Sequence, residues 1–327
     1  MKHFLILLTT LFILTGCGSK KYFEPEDVKS SLSIEESTLS SSIKSMNREG
    51  ATLEDGTIIT RDGISKFKLP ENFNFLNVSN TGKVLATNYK DTLLIGNEEL
   101  KLENIVVAAS LKDNKLALVY SNNSLELFDI NTKKTLFKEY LTISLANDTR
   151  IANPHFMGNL ILFPTLNGKI IIVSSKTNES VKNISVDLDS EFNNIIFLTV
   201  IQNKQTLIAA SANKIVTIST KNILSKDYEI RDIITNGENI YLATIDGRLV
   251  KLNLALEELE SKKFKYSKIH ALAYTDSLYA IESQSFLIRL NEDFTNDKVY
   301  NFDFDNEERL IVIENKIYTD SREITLP

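Results

Sequence analysis

The sequence predicts an all-β chain, a β-propeller built of four-stranded blades. Three observations point to it. From Gly50 to Pro327, short apolar runs alternate with clusters of Asn, Asp, Gly, Ser and Lys, a strand-and-turn texture. The runs recur in units that start near residues 105, 151, 192, 231 and 269, so about 40 residues apart. Each unit holds four such runs, the content of a propeller blade. No blade can bury both faces of its own sheet, so the blades share one cooperative core and ring closure hides strand edges. A β-sandwich array is the alternative architecture.

The elements follow in chain order. Met1-Lys2-His3 precedes an apolar run from Phe4 to Leu14, broken only by Thr9 and Thr10. A basic start, a short apolar run and a small-residue exit describe a secretory signal over residues 1–16, since a membrane span needs roughly 20 apolar residues. No later run is long and apolar enough to cross a bilayer. The residues Leu14-Thr15-Gly16-Cys17 resemble a bacterial lipobox. That resemblance implies that the Cys17 thiol is lipidated, the signal is cut before it and the new amine is acylated, typically with palmitate. The chain has one Cys, and it stands where that chemistry requires it. Each buried CH₂ contributes about 0.8 kcal/mol, so several acyl chains hold a protein lastingly on a bilayer. Gly18 stands where an Asp retains enterobacterial lipoproteins in the inner membrane. It is permissive for the outer membrane.

Residues 17–41 read as the lipidated Cys and a polar tether rich in Ser, Glu and Lys. Val28, Leu32, Leu39, Ile43 and Met46 have roughly helical spacing, but the Ser density and β-branched neighbours oppose a helix. Short strands at Lys29–Ile34 and Ser42–Asn47 fit as well.

The propeller domain is read over residues 42–327. First strands are expected at Ile105–Ala109, Ile151–Phe156, Ile195–Ile201, Arg231–Thr235 and Ile269–Tyr274. Residues 73–103 make a shorter blade. The C-terminal stretch offers three strands, Leu310–Ile313, Lys316–Thr319 and Glu323–Leu326. With residues 42–70 as a first blade and Lys29–Ile34 closing the last, the count is eight. If only Thr57–Leu69 joins the C-terminal strands, it is seven. Asp-Gly and Asn-Gly pairs at Asp55-Gly56, Asn167-Gly168 and Asp246-Gly247 mark turns. Asn114, Asn123 and Asn213 stand where Gly is often found, because Asn tolerates the left-handed conformation.

The segments Gly168–Val181 and Gly247–Glu260 resemble the repeat of the pyrroloquinoline-quinone-type propellers, without its usual turn Gly or terminal Trp. A lipobox followed by such a propeller resembles the BamB family of outer-membrane assembly lipoproteins. The resemblance implies eight blades and no enzymatic activity. It implies docking on the core subunit that inserts outer-membrane β-barrel proteins. The docking residues of that family lie in inter-blade loops and find no residue-by-residue match here, so none is carried over.

The residues argue against chemistry. There is no Trp and one Cys, so a quinone platform, a disulfide framework and a c-type haem site lack their parts. His155 and His270 have no nucleophile or second His nearby in sequence. Asp187-Leu188-Asp189 and Asp303-Phe304-Asp305 place two carboxylates on one strand face, but Ca²⁺ wants six to eight oxygens, and they read as solvated turn residues. Lys133-Lys134 and Lys262-Lys263 read as edge protection. A net charge of -6 opposes nucleic-acid binding. The expectation is therefore a non-catalytic lipoprotein on the outer membrane, facing the periplasm, with no cofactor. It contacts the bilayer through Cys17 and the assembly core subunit as its partner. The alternative is a surface or periplasmic lipoprotein that recognises a peptide, glycan or host ligand on one propeller face.

Overall fold

The computed structural model describes residues 21–29, 32–144, 147–305 and 307–327. They form eight sheets, seven with four strands and one with five. Blades 1 to 7 span residues 43–68, 74–101, 106–140, 155–185, 197–227, 230–263 and 269–301, each an antiparallel meander in chain order. The middle strands explain the repeat. In blade 3, Lys115–Tyr120 and Ser124–Asp129 are buried along almost their whole length. A neighbouring blade covers each face, so neither face needs the polar alternation of a half-exposed strand. The outermost strand, Lys134–Tyr140, has only exposed or half-buried residues.

Eight apolar clusters hold the ring, and each is shared by two adjacent blades. The cluster of Leu53, Ile59, Ile311 and Tyr318 joins blade 1 to blade 8 and closes the circle. Burying one such side chain contributes about 1.5–3 kcal/mol.

The eight-blade count holds, with a correction to its closure. Blade 8 combines Ile311–Ile313, Lys316–Tyr318 and Arg322–Thr325 with an outer strand at Glu35–Thr38, not at Lys29–Ile34. Glu35 pairs with Thr325 and Thr38 with Arg322. All four residues of this strand are exposed, so it carries no apolar signature. Val28–Lys29 does form a strand, but it runs parallel to Asp297–Asn301 as the fifth strand of blade 7. Among the described residues of the segment expected as a tether over 17–41, Phe23, Val28–Lys29 and Glu35–Thr38 attach to the ring. The first strand expected at Ile151–Phe156 begins later, at His155–Met157. Pro154 has no donor for a ladder. The Asn153 side chain instead accepts from the Ala109 amide at 2.9 Å and donates to the Leu76 carbonyl at 3.3 Å.

Turn chemistry follows from backbone crowding. A Cβ on Gly168 would lie 1.6 Å from the Asp187 carbonyl oxygen, and one on Gly247 would lie 2.5 Å from that of Phe264. In blade 3 the corresponding turn uses Asn123 at φ 60°. Asn114 and Asn213 do not have positive φ; beside Asn114 the left-handed residue is Asp113.

Candidate interaction surface

Successive strands run in opposite directions. Loops after the second and fourth strands of each blade therefore share one face of the ring, the loop face. The tight connections after the first and third strands share the other, the hairpin face. First strands line the axis, and those of blades 1, 2, 3, 6 and 7 carry a β-bulge. Polar side chains tie them together. Asn77 donates to the Ala109 carbonyl at 3.0 Å, and Asp232 accepts from the Leu272 amide at 2.8 Å. Arg48, in the first hairpin of blade 1, reaches to blades 5 and 6. Its guanidinium donates to the Ile233 carbonyl at 2.7 Å and to the Asp232 carboxylate at 2.9 Å, and lies 5.0 Å from the Phe197 ring centre. One side chain thus braces non-adjacent blades across the axis.

The candidate site residues distribute as follows. Leu14, Thr15, Gly16 and Cys17 lie outside the described residues. His155 opens the first strand of blade 4, where burial pulls its imidazole pKa below the usual value. His270 sits in the first strand of blade 7, edge-on to Phe304 at 5.5 Å. The two are on different blades. Asp187 is not a solvated turn residue: it is buried and accepts from the Ser211 hydroxyl at 2.6 Å, joining the loop after blade 4 to blade 5. Asp189 is exposed, so that pair does not converge. Asp303 and Asp305 are both exposed. Among the described residues, no group of three or more His, Cys, Asp or Glu side chains could hold a metal ion. An open cleft of about 480 Å³ beside blades 4 and 5 is lined by Asp189, Lys214, Asp227 and Glu229. Lys262 reaches Asp297 of blade 7 at 2.5 Å and Lys263 reaches Asp246 at 2.6 Å, so these lysines tie neighbouring segments together.

The two faces differ in their exposed apolar side chains. Ile105, Ile143, Leu188, Phe192, Ile245 and Tyr266 are large, exposed and in loops of the loop face; Ile143 is 63% and Ile245 59% exposed. Among the described residues, the turns of the hairpin face carry none. The charges of the loop face are also divided. Exposed Asp189 and Glu191 follow blade 4, and exposed Asp303, Asp305 and Glu307 follow blade 7. Exposed Lys265 and Lys268 follow blade 6.

Beside those lysines the N-terminal segment meets the ring. The Phe23 ring packs edge-on against Phe264 and Phe286, at 5.9 and 5.8 Å, in the core between blades 6 and 7. The Lys21 ammonium lies 5.4 Å from the Tyr266 ring centre and that of Lys265 lies 5.0 Å away. Lys21 also lowers the pKa of the Tyr266 hydroxyl through a side-chain hydrogen bond. The Ser267 amide donates to the Phe264 carbonyl at 3.1 Å, closing a turn in which Tyr266 has φ 65°. Such a conformation costs a non-Gly residue about 1–2 kcal/mol. Sequence reasoning missed both Phe23 and Tyr266. The available signal was the pair Tyr22-Phe23, two aromatics in an otherwise polar stretch.

No family model matches the chain. Two curated relatives, each named plasminogen-binding protein PgbB and each from a strain of Helicobacter pylori, are 29% identical over 91% of this chain. The chain spans 64% of the length of these relatives. Among solved structures, BamB from Moraxella catarrhalis matches with a TM-score of 0.69 over 90% of this chain and 98% of that chain, at 14% identity. The C-terminal WD40 domain of Sif2 matches with a TM-score of 0.63 over 92% of this chain and 99% of that one, at 12% identity. At such identities the structural likeness shows the propeller fold alone.

Proposed function

We propose that the chain is a non-catalytic lipoprotein that uses its propeller as a protein-binding scaffold, held on a membrane through Cys17. The observation that carries the binding role is the similarity to PgbB, which runs through 91% of this chain and so takes in most of the ring. The loop face offers large exposed apolar side chains that a partner could cover, among them Ile105, Ile143, Leu188 and Phe192. The name of the relatives makes plasminogen the first ligand to test. Biolayer interferometry of the mature protein against immobilised plasminogen should give saturable binding in about the micromolar range or tighter. Absence of saturable binding sinks that ligand.

The second reading is assembly of outer-membrane β-barrel proteins, with the barrel-assembly core subunit as partner. The propeller that this chain shares with BamB supports it at the level of fold. Pull-down of the tagged mature protein from solubilised membranes should enrich that subunit; no enrichment rejects the role. Protease added to intact cells separates the readings. Cleavage outside the cell fits recognition at the surface, and protection fits a periplasmic place on the outer membrane. The anchor has its own test. Cys17→Ala should release the protein from the membrane fraction, and retention with an unmodified N-terminus overturns the lipobox reading.

A further inference from the structure

We propose that the rim of the loop face around the loop after blade 6 rests on the surface of the bilayer. This uses the reading of Cys17 as the lipid anchor, and two independent features carry it. The first is the place where the chain leaves the ring. Phe23 is wedged between Phe264 and Phe286, which flank the loop-face end of the groove between blades 6 and 7. Cys17 lies six residues before Phe23. That stretch reaches about 20 Å at full extension. The headgroup layer alone takes up roughly 5–8 Å. The tether therefore holds this rim within about 12–15 Å of the headgroup surface.

The second feature is the chemistry of the rim. Tyr22, Ile245 and Tyr266 are exposed there, with Lys21, Lys265 and Lys268 around them. Tyr and Lys suit the headgroup level, where the apolar body is shielded and the polar tip meets phosphate and water. Acids stand near the rim as well: Asp246 is held by Lys263 at 2.6 Å, while Glu24, next to Phe23, and Glu229, whose carbonyl accepts from the Ile245 amide at 2.9 Å, are exposed. The exposed acids Asp189 and Asp303 belong to the loops after blades 4 and 7, so an anionic bilayer favours the lysine-bearing loop after blade 6. Tyr266 keeps its outward position at φ 65°, although almost any turn could use Gly there. The hairpin face then points away from the membrane.

A depth measurement tests this. Ile245→Cys and Lys221→Cys, the second in a hairpin-face turn, are each labelled with an environment-sensitive dye. The protein is placed on vesicles of phosphatidylethanolamine and phosphatidylglycerol that contain a headgroup spin-labelled lipid. Dye at position 245 should be quenched and dye at 221 should not. Equal quenching, or none at either position, overturns the proposal. A rim that docks a protein instead shows no quenching on these protein-free vesicles. The mass of the N-terminal peptide reports separately on Cys17, so an absent anchor is told apart from a misplaced patch. In an unacylated Cys17→Ser background, Lys265→Ser with Lys268→Ser should weaken partitioning onto the same vesicles by about 30-fold. Both lysines are exposed, so the fold tolerates the change. Unchanged partitioning overturns the patch.

Discussion

Blade 3 takes all four strands from one stretch of chain, residues 106–140, whereas blade 8 takes three from residues 311–325 and the fourth from residues 35–38. Strands of blade 3 run six or seven residues, and those of blade 8 three or four. The difference separates two tasks. Blade 3 stabilises itself and its neighbours by local pairing. Blade 8 also joins the two ends of the ring, through a contact such as Arg322 to Glu36 at 3.2 Å, 286 residues apart. Loop closure costs only about 0.6 kcal/mol per doubling of length, so distance alone does not forbid this joint. The ion pair is 23% and 40% exposed and contributes about 0–1 kcal/mol, so the strand ladder and the apolar core beneath it carry closure.

The largest expected effect comes from breaking the joint. A protein that begins at Leu39 lacks the outer strand of blade 8, the fifth strand of blade 7 and the Phe23 wedge. Hydrogen exchange should then show lost protection in blades 7, 8 and 1, with a clearly lower melting temperature. An unchanged melt would mean that blade 8 needs only its own three strands. Next comes Leu118→Ala in blade 3. Leu118 is fully buried, and the substitution should cost about 2–5 kcal/mol by urea unfolding. A cost below that range would show that local pairing, not the shared core, dominates blade 3.

Two buried tyrosines sharpen the contrast. Tyr120 of blade 3 donates its hydroxyl to the Glu126 carboxylate at 2.6 Å, inside the sheet. Burial raises its pKa well above the usual tyrosine range, so it stays protonated and donates. Tyr120→Phe should cost about 1–2 kcal/mol, because Glu126 loses a donor where water cannot replace it. Tyr318 of blade 8 is equally buried, and among the described residues its hydroxyl has no hydrogen-bond partner. Tyr318→Phe should be neutral or stabilising by up to about 1 kcal/mol. Equal costs for the two changes would remove the distinction.

The same contrast sets what the sequence reveals. First strands with local apolar runs are legible: Ile269–Tyr274 was expected and found at those bounds, and Arg231–Thr235 lies within Ile230–Asn236. The strand Glu35–Thr38 is illegible alone, because all of its side chains are exposed and its partner is at the other end of the chain. The same limit applies to Arg48, whose partners in blades 5 and 6 are set by ring geometry rather than by local pattern. Asp187 looked like a turn residue because its burial comes from the neighbouring blade. The loop-face rim was hidden for a related reason. Lys21 and Tyr266 are 245 positions apart in sequence and meet only because the ring closes.

The order of attachments along the N-terminal segment has a mechanical consequence. Any pull on the chain ahead of residue 21 meets the Phe23 wedge first, then the Val28–Lys29 ladder on blade 7, and only then the Glu35–Thr38 joint. The load enters the ring through blades 6 and 7, which are complete without it. The seam at blade 8 is relieved of strain, as a cable clamped ahead of its connector is.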